Sequence, residues 1–202
     1  MAAAVSIGVC GVTMRVIGGE FGSRRLKGPG ALRLRPTSDR LRETLFSVLG
    51  PGVLDCLFVD LYAGTGAIGI EALSRGAREV IFVEKHVPTM RVLRQNLASL
   101  GLNGKASVEV IVDDTLKGLE KLAARRLVAD FIFLDPPYER ADEYERALNF
   151  IDSSHLLAPA SRVIVEHSVK AELPDRFERI ERARLLEQGD AALSFYRLAA
   201  AA

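Results

Sequence analysis

Asp135, Pro136, Pro137 and Tyr138 place a carboxylate, two tertiary-amide carbonyls and an aromatic ring on four consecutive residues. They follow Phe131-Ile132-Phe133-Leu134, an apolar run that reads as a buried strand. Two prolines in a row stop strand and helix alike, because neither has an N–H and both fix φ. The four residues therefore sit on a stiff loop at the carboxyl end of a strand, where open α/β sheets hold their ligands. The Asp135 side chain and the Pro136 carbonyl can accept the two N–H bonds of an exocyclic amine. Accepting both draws the nitrogen lone pair out of conjugation and makes it a better nucleophile. Tyr138 offers a face for a flat ring, as in enzymes that take a base out of its stack. The same residues also fit a plain strand end with a proline turn and a buried tyrosine, so the elements around them must decide.

A second loop supplies the partner chemistry. Gly64-x-Gly66-x-x-Gly69 lies between an expected strand over 57–62 and an expected helix over 68–75. Glu84 falls 20 residues after Gly64, at the end of the next strand, where a ribose-binding acid belongs. By itself this fingerprint fits NAD nearly as well as S-adenosylmethionine. Asp60, four residues before Gly64, separates the two. A carboxylate there opposes a pyrophosphate by ~1 kcal/mol or more, and it suits ammonium and sulfonium groups. The NAD reading also leaves the Asp-Pro-Pro-Tyr loop without a use. Glycines that merely allow tight helix–strand packing would not explain why Asp60, Glu84, Asp114 and Asp135 all stand at strand ends along one rim.

Around these loops the apolar periodicity predicts strands over 79–84, 107–112, 129–134 and 162–166, and closing strands in the tail that include 193–198. Helices are expected over 87–100, 115–126 and 139–151. Strands alternating with helices mean an α/β fold: a doubly wound, mostly parallel, Rossmann-like sheet with right-handed crossovers. Ahead of it, 15–26 reads as a basic β-hairpin or ribbon and 27–30 as a turn. Pro36, then Thr37 or Ser38 as cap, opens a helix that carries Leu41, Leu45, Val48 and Leu49 and stops at Gly50-Pro51-Gly52. This divides the chain into an uncharged leader or upstream start over 1–13, a basic ribbon and helix over 14–50, and the main domain over 51–202.

Of the 202 residues 49% are hydrophobic and 26% charged, which suits one domain with a sizeable core and excludes global disorder. No apolar run is long enough to span a bilayer, so no membrane partner is expected. Two cysteines, Cys10 and Cys56, argue against a disulfide framework and for a reducing, cytoplasmic setting. Net charge is +1, but 15–43 carries eight Arg/Lys against three acids. That basic end suggests an anionic macromolecule, with Arg15, Arg24, Arg25, Lys27, Arg33 and Arg35 as phosphate contacts; a solvated basic face is the plainer alternative. His86, His155 and His167 are scattered without ligand spacing and read as structural, so no metal site is expected.

The run from Asp60 to Arg75, with Asp135 to Tyr138, resembles the class I S-adenosylmethionine-dependent amino-methyltransferases. Arg15-Val16-Ile17-Gly18-Gly19 and the run from Arg35 to Phe46 narrow this further. They are similar to the bacterial guanine-N2 methyltransferases that modify one guanine of 16S ribosomal RNA, and the likeness extends from about 14 to 198. The resemblance implies a seven-stranded sheet. It implies that Gly64, Gly66 and Tyr62 bring the loop to S-adenosylmethionine, that Asp60 holds its charged end, and that Glu84 takes the ribose. Asp114, or else Asp113, receives the adenine amine. Asp135 and Pro136 hold the guanine amine, Tyr138 stacks on the base, and Thr37 with Arg40 closes over the cofactor carboxylate or the nucleotide. It favours an assembled or nearly assembled 30S subunit as substrate; a monomer is the simplest state at this size. The rivals are another amino-methyltransferase acting on DNA adenine or protein glutamine, an NAD-dependent oxidoreductase, and a non-catalytic RNA-binding assembly factor.

Overall fold

The computed structural model describes residues 14–28, 37–137 and 140–200. The leader over 1–13, Cys10, Arg33, Arg35 and Tyr138 lie outside the described residues.

A short antiparallel ribbon, β1 (Met14–Arg15) and β2 (Arg25–Leu26), precedes helix α1 (Asp39–Leu49). Ser38 caps α1 by accepting from the Leu41 amide, and Asp39 sits in its first turn. The chain then runs β3 (Leu57–Leu61), α2 (Ala67–Ser74), β4 (Glu79–Val83), α3 (Val87–Ser99) and β5 (Val108–Ile111). It returns through α4 (Thr115–Ala124), β6 (Ala129–Leu134), α5 (Ala141–Ser153), β7 (Leu157–Ser168), β8 (Ile180–Gln188) and β9 (Ala191–Leu198). The main sheet has seven strands in the order β5-β4-β3-β6-β7-β9-β8. The first five are mutually parallel, and β9 pairs antiparallel with both β7 and β8.

Strand alternation sorts side chains to the two faces. Phe58, Phe82, Phe131, Phe133 and Ile164 join one buried cluster with residues of α1, α2 and α3. Val59, Leu61, Ile81, Ile132, Val163 and Val165 join the other with residues of α4 and α5. The ribbon shares the first cluster through Met14, Val16 and Leu26. It is fastened to α2 by Glu71, a wholly buried residue whose carboxylate accepts from the Ile17 amide at 2.7 Å and the Gly18 amide at 2.9 Å. The Glu20 amide donates to Ser74 O at 2.7 Å. Gly19 takes a φ of +75°, and a Cβ there would lie 1.8 Å from Ser74 O, so only glycine permits this approach. Cys56 is a buried free thiol, pushed up to about 12 mainly by its burial. Among the described residues no helix is long and apolar enough to cross a membrane.

Candidate active site at the switch point of the sheet

Connections run outward from β3 in both directions, so β3 and β6 form the point where strand order reverses. Leu61 pairs with Leu134 there. The loop that follows Leu61 and the loop that follows Leu134 therefore leave adjacent strands side by side.

The first loop is bent by three residues with positive φ: Tyr62 (61°), Gly64 (57°) and Gly66 (83°). A Cβ on Gly66 would fall 2.2 Å from Leu93 Cδ1, so packing against α3 demands glycine at that position. A Cβ on Gly64 would meet nothing nearer than Tyr62 O at 3.7 Å, which leaves this stretch of backbone open to a ligand. Two acids hold the loop. Asp60 is 2% exposed, and its Oδ2 accepts from the Gly69 amide at 2.9 Å, at the start of α2. Burial raises its pKa to about 7; the Gly69 amide counters this and Glu84 adds to it. The sequence reads Asp60 as a plain carboxylate, whereas its burial holds its pKa well above the usual carboxylate range. Glu84 accepts from the Gly64 amide through Oε2 at 2.9 Å and from the His86 amide through Oε1 at 2.6 Å.

Farther along the rim, Asp114 caps α4 by accepting from the Lys117 amide at 3.2 Å. Asp113 is paired with Lys121 at 2.9 Å, and that lysine holds its carboxyl below the usual range.

On the second loop Asp135 is half-buried and Pro136 buried. The Tyr144 hydroxyl, from α5, donates to the Pro136 carbonyl at 3.4 Å. The first loop is tied to α5 as well. The Tyr62 hydroxyl is raised in pKa by burial and by its hydrogen bond with Glu143, against the effect of a bond with Thr115. Glu143 in turn pairs with Arg140 at 2.7 Å and Lys85 at 3.4 Å. Beside Asp135 stands Glu166, since Leu134 pairs with Val165. Thr37 Oγ1 donates to Glu166 Oε2 at 2.7 Å, which brings the start of α1 to the rim. Arg40 is exposed on α1, and among the described residues no hydrogen bond or ion pair ties it to the rim.

The basic residues of the ribbon divide. Arg24 Nη2 donates to Ser99 O at 3.0 Å and Lys27 Nζ to Gln95 Oε1 at 3.1 Å, so both clasp α3. Arg15 and Arg25 line a polar notch with Met14, Ser23 and Asp39. The three histidines make local bonds: His86 with Thr89, His155 with Ala123 O, His167 with Ser194 and Ser168 O. Tyr144, Glu143, Glu166 and Glu71 were not singled out by sequence. Tyr144 lies at helical spacing with Ala147, Leu148 and Ile151, which signals only a core stripe.

Comparison with known proteins agrees with this geometry. The family model described as Conserved hypothetical protein 95 matches residues 14–197. A proposed rRNA methyltransferase of Bacillus subtilis, YlbH, is 33% identical over 184 residues, covering 91% of this chain and 98% of its own. Ribosomal RNA small subunit methyltransferase D of Escherichia coli is 36% identical over 161 residues, 80% of this chain and 78% of its own. The solved structure of yhhF from Escherichia coli, described as a proposed methyltransferase, superposes with a TM-score of 0.79 at 30% identity, covering 94% of this chain and 99% of that one. By the extent of these matches, the chain belongs to the Conserved hypothetical protein 95 family.

Proposed function

We infer that this protein transfers a methyl group from S-adenosylmethionine to the exocyclic N2 amine of a guanine in small-subunit (16S) ribosomal RNA. The observation that carries the reading is the meeting, at one switch point, of an acid-lined glycine loop and the Asp135-Pro136 loop. The donor set fits the cofactor. An open Gly64 backbone flanked by Asp60, Glu84 and Asp114 suits a ligand that carries ammonium, sulfonium, ribose hydroxyls and an adenine amine, and repels a pyrophosphate. In this reading Tyr62, Gly64 and Gly66 shape the cradle, Asp60 faces the cationic end, Glu84 the ribose and Asp114, with Asp113 as the alternative, the adenine. When bound, the cofactor would supply a methyl group on a sulfonium, whose transfer releases a neutral thioether. The protein's task is then mostly positioning, worth ~7–11 kcal/mol at best. Asp135 and Pro136 accept the two N–H bonds of the target amine and turn its lone pair toward the methyl group. Tyr138 stacks on the base, and Thr37 with Arg40 covers the site. Of the basic residues the sequence offers as phosphate contacts, Arg15, Arg25, Arg33 and Arg35 keep that role in this reading, while Arg24 and Lys27 are bonded to α3. Its finer parts are an assembled or nearly assembled 30S subunit as substrate, a cytoplasmic setting and a monomeric enzyme.

The test is methyl transfer from labelled S-adenosylmethionine to unmethylated small subunits, stripped ribosomal RNA and duplex DNA, followed by nucleoside identification. N2-methylguanine from ribosomal RNA is expected; label in DNA adenine would overturn the substrate. Asp135→Ala is expected to lower kcat by at least ~100-fold, the scale of a lost electrostatic contact to the reacting group, with cofactor affinity within a few-fold. Unchanged turnover would remove Asp135 from the mechanism.

A further inference from the structure

The basic ribbon is not one uniform positive face. Arg24 and Lys27 are committed to α3, through Ser99 O and Gln95 Oε1. The Lys27 amide and carbonyl are also bound, to the Asn96 side chain at 2.7 and 3.0 Å. Arg15 and Arg25 instead sit on the paired strands and line a half-open notch of about 480 Å³ with Met14, Ser23 and Asp39. Asp39 by itself would make the notch poor for an anion. It is answered twice: by Arg15 Nε at 3.5 Å and by Arg42 Nη2 at 2.8 Å. Arg42 is fully buried behind the notch, and the same Nη2 donates to the Arg15 carbonyl at 2.6 Å. Its Nε and Nη1 have no hydrogen-bond partner among the described residues, and the buried Glu71 carboxylate also acts on its charge. Two guanidinium groups, Arg15 and Arg25, thus line the notch with one carboxylate that Arg42 also neutralises from behind, which leaves the notch positive.

We propose that the notch lined by Arg15, Ser23 and Arg25 and backed by Arg42 is a binding site for a backbone phosphate of the RNA, while Arg24 and Lys27 hold the ribbon in place and do not dock. The inference rests on the rRNA-methyltransferase reading. Guanidinium groups match phosphate oxygens in paired geometry, and the Arg15–Arg25 pairing across the ribbon fixes their spacing. Helix α1 runs on from Asp39 beneath the notch, and Thr37 at its start reaches Glu166 on the active-site rim. A phosphate seated here therefore lies beside the helix whose start reaches the active-site rim at Glu166.

The test is the salt dependence of binding to unmethylated small-subunit ribosomal RNA, on the full chain, with methyl transfer measured on the same samples. Each lost phosphate contact reduces the slope of log K against log salt by about 0.7–0.9. Arg15→Gln and Arg25→Gln are each expected to show that reduction. Arg24→Gln and Lys27→Ala are expected to keep the wild-type slope within about 0.3. Ser23→Asp adds a negative charge while removing no arginine, and aspartate tolerates the left-handed φ of 68° found there. It is expected to weaken binding with no change in thermal midpoint, which guards against variants that merely fail to fold. Equal slopes in all variants, or a loss confined to Arg24→Gln and Lys27→Ala, would overturn the notch. Wild-type protein that binds RNA with a normal slope yet transfers no methyl group would overturn the activity reading and leave the notch to stand on the slopes.

Discussion

Among the turns held by carboxylates that accept backbone N–H groups, the ribbon and the glycine loop differ in charge balance. On the ribbon, Glu71 takes the Ile17 and Gly18 amides, is wholly buried, and is paired with Arg75 Nε at 2.7 Å. Arg75 also lies over the Phe46 ring at 5.0 Å. Every demand of that carboxylate is met from within the chain, so it is a permanent fastening. On the glycine loop, Asp60 and Glu84 take the Gly69, Gly64 and His86 amides, but among the described residues neither forms an ion pair. Two acids close to one another without a cation leave a local negative potential. A carboxylate–amide bond that is neutralised builds structure; the same bond left unneutralised also prepares a place for a positively charged ligand.

The largest effect that could break this comparison concerns Asp60. An unfolded aspartate ionises near 3.9, while buried Asp60 keeps its proton up to about 7. As pH rises from 4 to 7 the unfolded chain gives up a proton that the folded chain retains. Its share of stability is therefore full below pH 4, falls across that window, and is flat above it. The span is about 4 kcal/mol at most, at 1.36 kcal/mol per pH unit. Urea unfolding without cofactor should show wild type losing stability between pH 4 and 7 relative to Asp60→Asn, which keeps an acceptor for the Gly69 amide. If the two curves run parallel, Asp60 is not the titrating group. Methyl transfer by Asp60→Asn should fall as well, because the charge that faces the cofactor is gone.

Next in size is the fastening itself. Glu71→Ala strips partners from two backbone amides and from Arg75, and should cost ~3 kcal/mol, since each buried donor left unpaired costs ~1–3 kcal/mol and Arg75 is partly solvated. Glu71→Gln keeps one acceptor and should lose about half. Denaturant midpoints check both. A loss below ~1 kcal/mol for the alanine variant would mean that the ribbon is held by its apolar contacts, Met14, Val16 and Leu26, rather than by the carboxylate.

How far these features could be read from sequence follows from the distance over which each is determined. The parallel strands were legible because both faces are covered and their sequences are near-continuous apolar runs, as in Leu57–Leu61 and Ala129–Leu134. The apolar run marks β7 only over 162–166, yet the strand spans Leu157–Ser168, because Ala158 to Ser161 bulge out of register against β6 and are tied back by Ser161 Oγ to Ala129 O. The rim acids and the glycines were legible through their fixed spacing to strand ends. Glu71 was not. In Ala67–Ser74 it resembles a solvent-facing helix residue, but its partners lie 53 and 54 residues earlier in the chain. Arg42 reads the same way on α1 and is buried by the ribbon that crosses it. Pairings at such separation leave no local pattern.

The smallest expected effect extends the comparison to a third turn. The Pro136 carbonyl is held by a neutral donor, the Tyr144 hydroxyl, at 3.4 Å. A carboxylate could not serve there, since a carbonyl accepts and does not donate. A strong donor would also compete for the lone pairs that the target amine needs. A long bond from a phenol fixes the carbonyl's direction while leaving most of its accepting capacity free. Tyr144→Phe keeps the buried ring in the second core cluster and removes only the hydroxyl. It should leave stability within ~1 kcal/mol and lower kcat by about five-fold, the equivalent of ~1 kcal/mol, with KM for RNA unchanged. A change in KM alone would show that the hydroxyl shapes the docking surface. An unchanged kcat would mean that two prolines in succession are enough to aim the carbonyl, and that this turn, unlike the other two, needs no clamp.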